Sequence, residues 1–350
     1  MNSLRSLEYM TLVKISVSII NNPQVRDYAG NCSRLWDKDY RHCCICYSNG
    51  RKRIFRQIMS SLPIPEVLQE KILHVIQPMH CEFQRWRHKN FEIFRVDFGQ
   101  LNNICWNFLG AIDYTETAKI LVRSEEFTFP QLFPVACNHW LADDLRRMWK
   151  AASTTDKETV RRNVDALSKC YGRNFGLEDG MKLWIKWLED GADRGRFYSY
   201  LGGLICLSRN LPPPIEIIQN LPPTLAIRLR RNVLSDHFDT NIGRDFFSKM
   251  DAALRMEFFK EQPYSALAMF LRWPLQTEFL ELASHLYPFL NGYTFTVLIR
   301  TIIYQECAPY QSCFDYKNLL NRFWSQSPDA LKREAKMSEP AWMLHYYNLI

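Results

Sequence analysis

What this chain most clearly lacks is strand punctuation. Nowhere in its 350 residues does period-two alternation of apolar and polar side chains run between Asn-Gly or Asp-Gly turns. The one ambiguous piece is FEIFRVDF at 91–98. Glycine is sparse, at 13 residues, and the 17 prolines are no more than an ordinary share, which excludes collagen-like and linker-dominated designs. Long apolar runs are missing too. FYSYLGGLICL at 197–207 falls well short of the ~20 residues that span a bilayer. The apolar stretch near the N-terminus is broken by Glu8 and Lys14 and is followed by no small-residue cleavage site, so it does not read as a secretory signal.

The signatures of common enzymes are absent as well. There is no glycine-rich phosphate loop, no GxSxG elbow and no HExxH pair. The acidic pairs Glu125-Glu126 and Asp143-Asp144 are adjacent, so on a helix they diverge, and acids in an opening turn are expected from the helix dipole. Cys137 and His139 stand two apart, a spacing that does not face two side chains together on a helix. The sequence therefore predicts a non-enzymatic protein with no catalytic residues and no cofactor.

What is present is an ordinary globular composition, 47% apolar and 23% charged, which excludes wholesale disorder. The 44 basic residues exceed the 37 acidic ones by 7, a charge too mild for so large a chain to demand nucleic acid. The 11 cysteines are too dilute for a small disulfide scaffold. Cys105, Cys170 and Cys206 fall at apolar positions, where a reduced thiol acts as a small hydrophobe. These features predict a soluble intracellular protein, cytoplasmic or nuclear, with no membrane contact.

Helical grammar recurs along the chain. Val160, Val164, Leu167 and Tyr171 form one stripe at helical spacing, with Thr155 and Glu158 as a capping box and Gly172 as the stop. Pro63 and Pro65 precede a helix with Leu68, Ile72 and Ile76 on one face. Asp113 and Glu116 open a helix carrying Leu121, and Pro130 sits in the first turn of another. Inner faces follow at Leu141, Leu145, Met148 and Trp149, and at Met181, Trp184, Ile185 and Leu188, the latter closed by Gly191. Further stripes are Phe246, Met250, Leu254 and Phe258, and Leu275, Phe279, Leu282 and Leu286, with a last helix starting at Ser327-Pro328. The predicted class is all-α: an irregular array of roughly fourteen short helices, in antiparallel hairpins because the loops are short.

The tetrapeptide Asn-Leu-Pro-Pro occurs at 210–213 and again at 220–223. It reads as two helix starts flanking one short helix, or as a hinge between arrays at 1–209 and 210–350, which otherwise form one continuous solenoid. SNGRKR at 48–53 is a second break in the apolar pattern.

LFPVACNHWLADDLRRMW at 132–149 resembles an ankyrin helical hairpin, and WLEDGAD at 187–193 resembles the end of an ankyrin repeat, where Gly191 turns the chain outward. FPQL at 129–132 stands where ankyrin repeats carry TPLH, and Trp140 stands where they carry the glycine between helices. The resemblance implies stacked hairpins that present loops and a helix face to a protein partner, with no catalytic residues.

Two basic runs offer a second reading. Arg51, Lys52, Arg53 and Arg56 form one, and Arg228, Arg230 and Arg231 the other. Clustered cations can neutralise phosphates or serve as a nuclear import signal, and also occur simply as solvated faces. His42, Cys43, Cys44 and Cys46, with Cys32 upstream and His80-Cys81 downstream, carry zinc-ligand chemistry. Their spacing is not that of paired CxxC units, so they read as reduced structural residues and no metal is assigned. The expected function is a protein–protein interaction scaffold of helical hairpins. The alternative is a nucleic-acid-binding helical protein using the two basic runs.

Overall fold

The computed structural model describes residues 7–25, 49–94, 104–170, 177–192, 251–307 and 314–338, parts of 213–230 and 243–250, and residues 197 and 200. Within them the chain is helical. No strand is formed among the described residues, and a single antiparallel bridge joins Trp106 to Ile112. The all-α class therefore holds. The ambiguous segment at 91–98 enters the structure as the end of a helix, with 95–98 outside the described residues.

The helices are α1 (Leu7–Ile20), α2 (Asn49–Ser60), α3 (Glu66–Phe94), α4 (Tyr114–Val122), α5 (Phe129–Asn138), α6 (Ala142–Ala151), α7 (Thr154–Cys170) and α8 (Leu177–Glu189). They continue as α9 (Ile215–Gln219), α10 (Ala252–Glu261), α11 (Pro263–Phe270), α12 (Phe279–Leu286), α13 (Gly292–Cys307), α14 (Tyr316–Gln326) and α15 (Asp329–Ser338). The chain divides into two compact units. The first comprises Met1–His88, Trp106–Ile112 and His237–Ile350; the second comprises Lys89–Cys105 and Asp113–Asp236. Residues 201–212 lie outside the described set, so the expected division at 210 falls where nothing is described. The short helix expected between the two Asn-Leu-Pro-Pro segments is α9, and the Ala226 N–H donates to Pro222 O as a new helical turn begins.

In the first unit, α13 packs against α11, α14 and α15, and α12 packs against α11 and α14. The aromatic centre of this group is Phe323, whose ring lies 5.2 Å from Phe279 and 5.1 Å from Phe295, all three fully buried. Buried Tyr316 keeps its hydroxyl satisfied by donating to Leu271 O at 2.7 Å. The 106–112 loop is a tight hairpin. Asn107 Oδ1 accepts the N–H groups of Leu109 and Ala111, both at 3.0 Å, and Glu82 of α3 accepts the Ile112 N–H at 2.8 Å. Gly110 turns this loop at φ 84° beneath Trp273 and Met79, a conformation and a clearance that suit only glycine.

In the second unit, α5 packs against α4, α6, α7 and α8; α7 also packs against α8, and α6 against α8. The stripes read from the sequence face inward. Leu141, Leu145, Met148 and Trp149 are buried, as are Met181, Trp184, Ile185 and Leu188, and Val160 with Val164. Asp113 caps α4 by accepting the Glu116 N–H at 2.9 Å.

Three boundaries differ from the sequence reading. The start of α7 is capped by Ser153, whose Oγ accepts the Asp156 N–H at 3.1 Å and donates to Asp156 Oδ2 at 2.7 Å, two residues before the expected Thr155. Ser-x-x-Asp and Thr-x-x-Glu both fit the box, and the shorter pair closes the first turn. The stripe Phe246, Met250, Leu254, Phe258 is split, because Asp251 accepts the Leu254 N–H and starts α10 afresh. Ser327 ends α14, donating its hydroxyl back to Phe323 O, so α15 begins one residue later than expected. Gly172, the expected stop of α7, is outside the described residues.

Candidate functional site

Two surfaces follow from the sequence: the basic segments, and the helices of the 132–193 region. On α2 the apolar residues Phe55, Ile58 and Met59 are buried, which turns Arg53 and Arg56 to solvent on neighbouring positions of the opposite side. Arg51 and Lys52 belong to the first turn of the same helix, with side chains outside the description. Arg56 Nη2 donates to Glu70 Oε1 of α3 at 3.1 Å, a pair with both partners more than half exposed and so worth at most about 1 kcal/mol. Arg230 is half-buried in a helical stretch of the second unit, while Arg228 and Arg231 lie outside the described residues. The two basic runs thus belong to different units.

The candidate metal ligands Cys32, His42, Cys43, Cys44 and Cys46 lie outside the described residues. His80 and Cys81 are buried on α3, where the imidazole meets the Phe55 ring edge-on at 5.6 Å. No three His, Cys, Asp or Glu side chains converge as a metal site among the described residues. Burial pushes the Cys137 thiol well above its ordinary range, and burial together with the charges of Asp113 and Glu116 raises that of Cys105; both shifts oppose formation of a thiolate.

The aromatic side chains of the 132–193 region build an interior. Trp149 packs against Phe133 at 5.8 Å and Phe129 at 6.2 Å. Trp184 meets Trp140 at 5.9 Å and Trp187 at 5.5 Å, both edge-on. Cations seal their rims. Lys157 and Arg161 stand 5.5 and 5.6 Å from the Trp149 ring, and Arg146 stands 5.6 Å from that of Trp187 while donating to Ala192 O at 2.7 Å. Arg161 is fixed in turn by Glu189 at 2.7 Å. Trp149, Trp184 and Trp187 are core, as their helical spacing implied, and so is Trp140 in the turn after α5, while Phe129 is half-buried at the edge; the buried indoles offer no open face for stacking on a base.

Sequence reasoning treated Asp143 and Asp144 alike, as acids of an opening turn. The structure separates them: Asp143 is exposed, while Asp144 is nearly buried between two arginines. Arg147 Nη2 donates to Asp144 Oδ1 at 2.7 Å, and Arg123 donates through Nε at 3.2 Å and Nη2 at 3.3 Å. Burial by itself raises the pKa of this carboxyl; the hydrogen bonds from Arg123 and Arg147, with their charges, outweigh it and hold the group below its ordinary value. The Arg147 contact was available from the i, i+3 spacing. The Arg123 contact, made from the residue that closes α4 to α6, has no local signature.

The turns beside these helices carry the backbone's special conformations. After α5 the Leu141 N–H donates to Ala136 O and the Trp140 N–H to Cys137 O, closing the helix around Trp140 at φ 57°. This is the left-handed closing position that glycine ordinarily fills. After α8, Gly191 at φ 91° and Ala192 at φ 51° turn the chain, and the Ala192 N–H donates to Trp187 O.

One feature was not foreseen. An open groove of about 240 Å³ runs between α13 and α15, bordered by Tyr293, Val297, Arg300, Glu334 and Met337, with Tyr293 and Met337 80% and 81% exposed. No helix among the described residues is long and apolar enough to cross a membrane. No family model, no curated protein and no solved structure matches the chain.

Proposed function

We propose that the protein is a non-enzymatic protein-binding scaffold built from stacked helical hairpins. The observation that carries this reading is the packing in the second unit. The pairs α5 with α6 and α7 with α8 are each joined through a short stretch of chain, and their first helices touch each other, as do their second. Two hairpins laid side by side cover each other's apolar stripes and leave polar outer faces and turns for a partner. The left-handed turns at Trp140 and Gly191 support the ankyrin-like character of this pair, since each falls where that resemblance places a reversal of the chain. In this proposal the protein is intracellular, which fits its dispersed cysteines, and it uses no cofactor.

A second reading rests on α2, which turns Arg53 and Arg56 to solvent. It makes the protein a nucleic-acid binder using the segments 51–56 and 228–231.

One experiment separates the two. The full chain, tagged and isolated from its own cells with and without nuclease, is analysed for bound protein and nucleic acid, and any complex is rebuilt from purified parts. The scaffold reading predicts a protein partner that survives nuclease and rebinds in pure form. Nuclease-sensitive binding that weakens steeply with salt, and is lost in Arg53→Glu/Arg56→Glu, supports the second reading instead.

A further inference from the structure

We draw no further inference here: the strongest candidate, the open groove between α13 and α15 with exposed Tyr293 and Met337 at its rim and one cation, Arg300, balanced by one carboxylate, Glu334, carries nothing because nothing in the structure shows what covers it.

Discussion

Glu334 of α15 lies against the backbone of Gly292 at the start of α13, so close that a β-carbon on residue 292 would collide with the Glu334 Oε2 and stand 2.5 Å from the Glu334 Cβ. The approach of these helices is set by a missing side chain. Gly292→Ala must push α15 outward and should cost about 1–3 kcal/mol, the usual penalty for overpacking. Gly180, inside α8, has nothing within 4 Å of the same position. Gly180→Ala should instead add about 0.4–1 kcal/mol by restricting the unfolded chain. Denaturant titration of both variants checks the pair, and equal effects would contradict the account.

The turn at Trp140 sets strain against packing. Glycine there would relieve a left-handed conformation worth about 1–2 kcal/mol, but would remove a buried indole whose loss costs about 3–5 kcal/mol. Trp140→Gly should therefore lose roughly 2 kcal/mol net, even though glycine is the residue such turns prefer. Ala192 shares the conformation with almost no side chain to lose, so Ala192→Gly should gain up to about 1 kcal/mol. Thermal melts of the two variants should move in opposite directions.

Asp144 makes stability depend on acid. Its folded pKa lies below the ordinary 3.8, so its contribution is complete above that value and drains away as the pH falls through the depressed one. Asp144→Asn keeps the shape but loses the charge. The stability gap between wild type and variant should be constant near neutrality and shrink below about pH 4, because protonation then makes the two alike. A gap that persists at low pH would show that the charge is irrelevant.

The 106–112 hairpin depends on one amide. Asn107→Ala removes the acceptor for two partly buried N–H groups and should cost about 1–3 kcal/mol. Hydrogen exchange should locate the loss at Leu109 and Ala111, and unchanged protection there would contradict the assignment.

Much of this fold was legible because helices announce themselves locally. Val160 and Val164, or Leu145 and Met148, fall on stripes whose spacing alone says which side is covered. Caps such as Asp113 and first-turn residues such as Pro130 are equally local. What spacing does not tell is which helix covers a stripe. The clamp of Arg123 on Asp144 joins residues 21 apart in sequence, and the meeting of Gly292 with Glu334 joins two separate helices. The length of α3 was hidden for another reason. Pro78 lies inside it and normally ends a helix, yet Ile76, Met79 and Phe83 are buried on either side and hold it together. The candidate site was legible only as composition. Arg53 and Arg56 could be seen as a charged run, but the pairing of Arg56 with Glu70 could not.

The protein-binding surface proposed above is the outward side chains of α5–α8. Lys150, Arg162 and Lys186 are exposed on α6, α7 and α8. The direct measurement is the affinity of the rebuilt complex for wild type and for Lys150→Glu/Arg162→Glu/Lys186→Glu, with melting temperatures in parallel. The expected result is a loss of affinity of at least about tenfold, with the melting temperature lowered only by the few degrees that reversing the last-turn cations Lys150 and Lys186 brings. A partner bound equally well by the variant, or a bound species that nuclease removes, would contradict it.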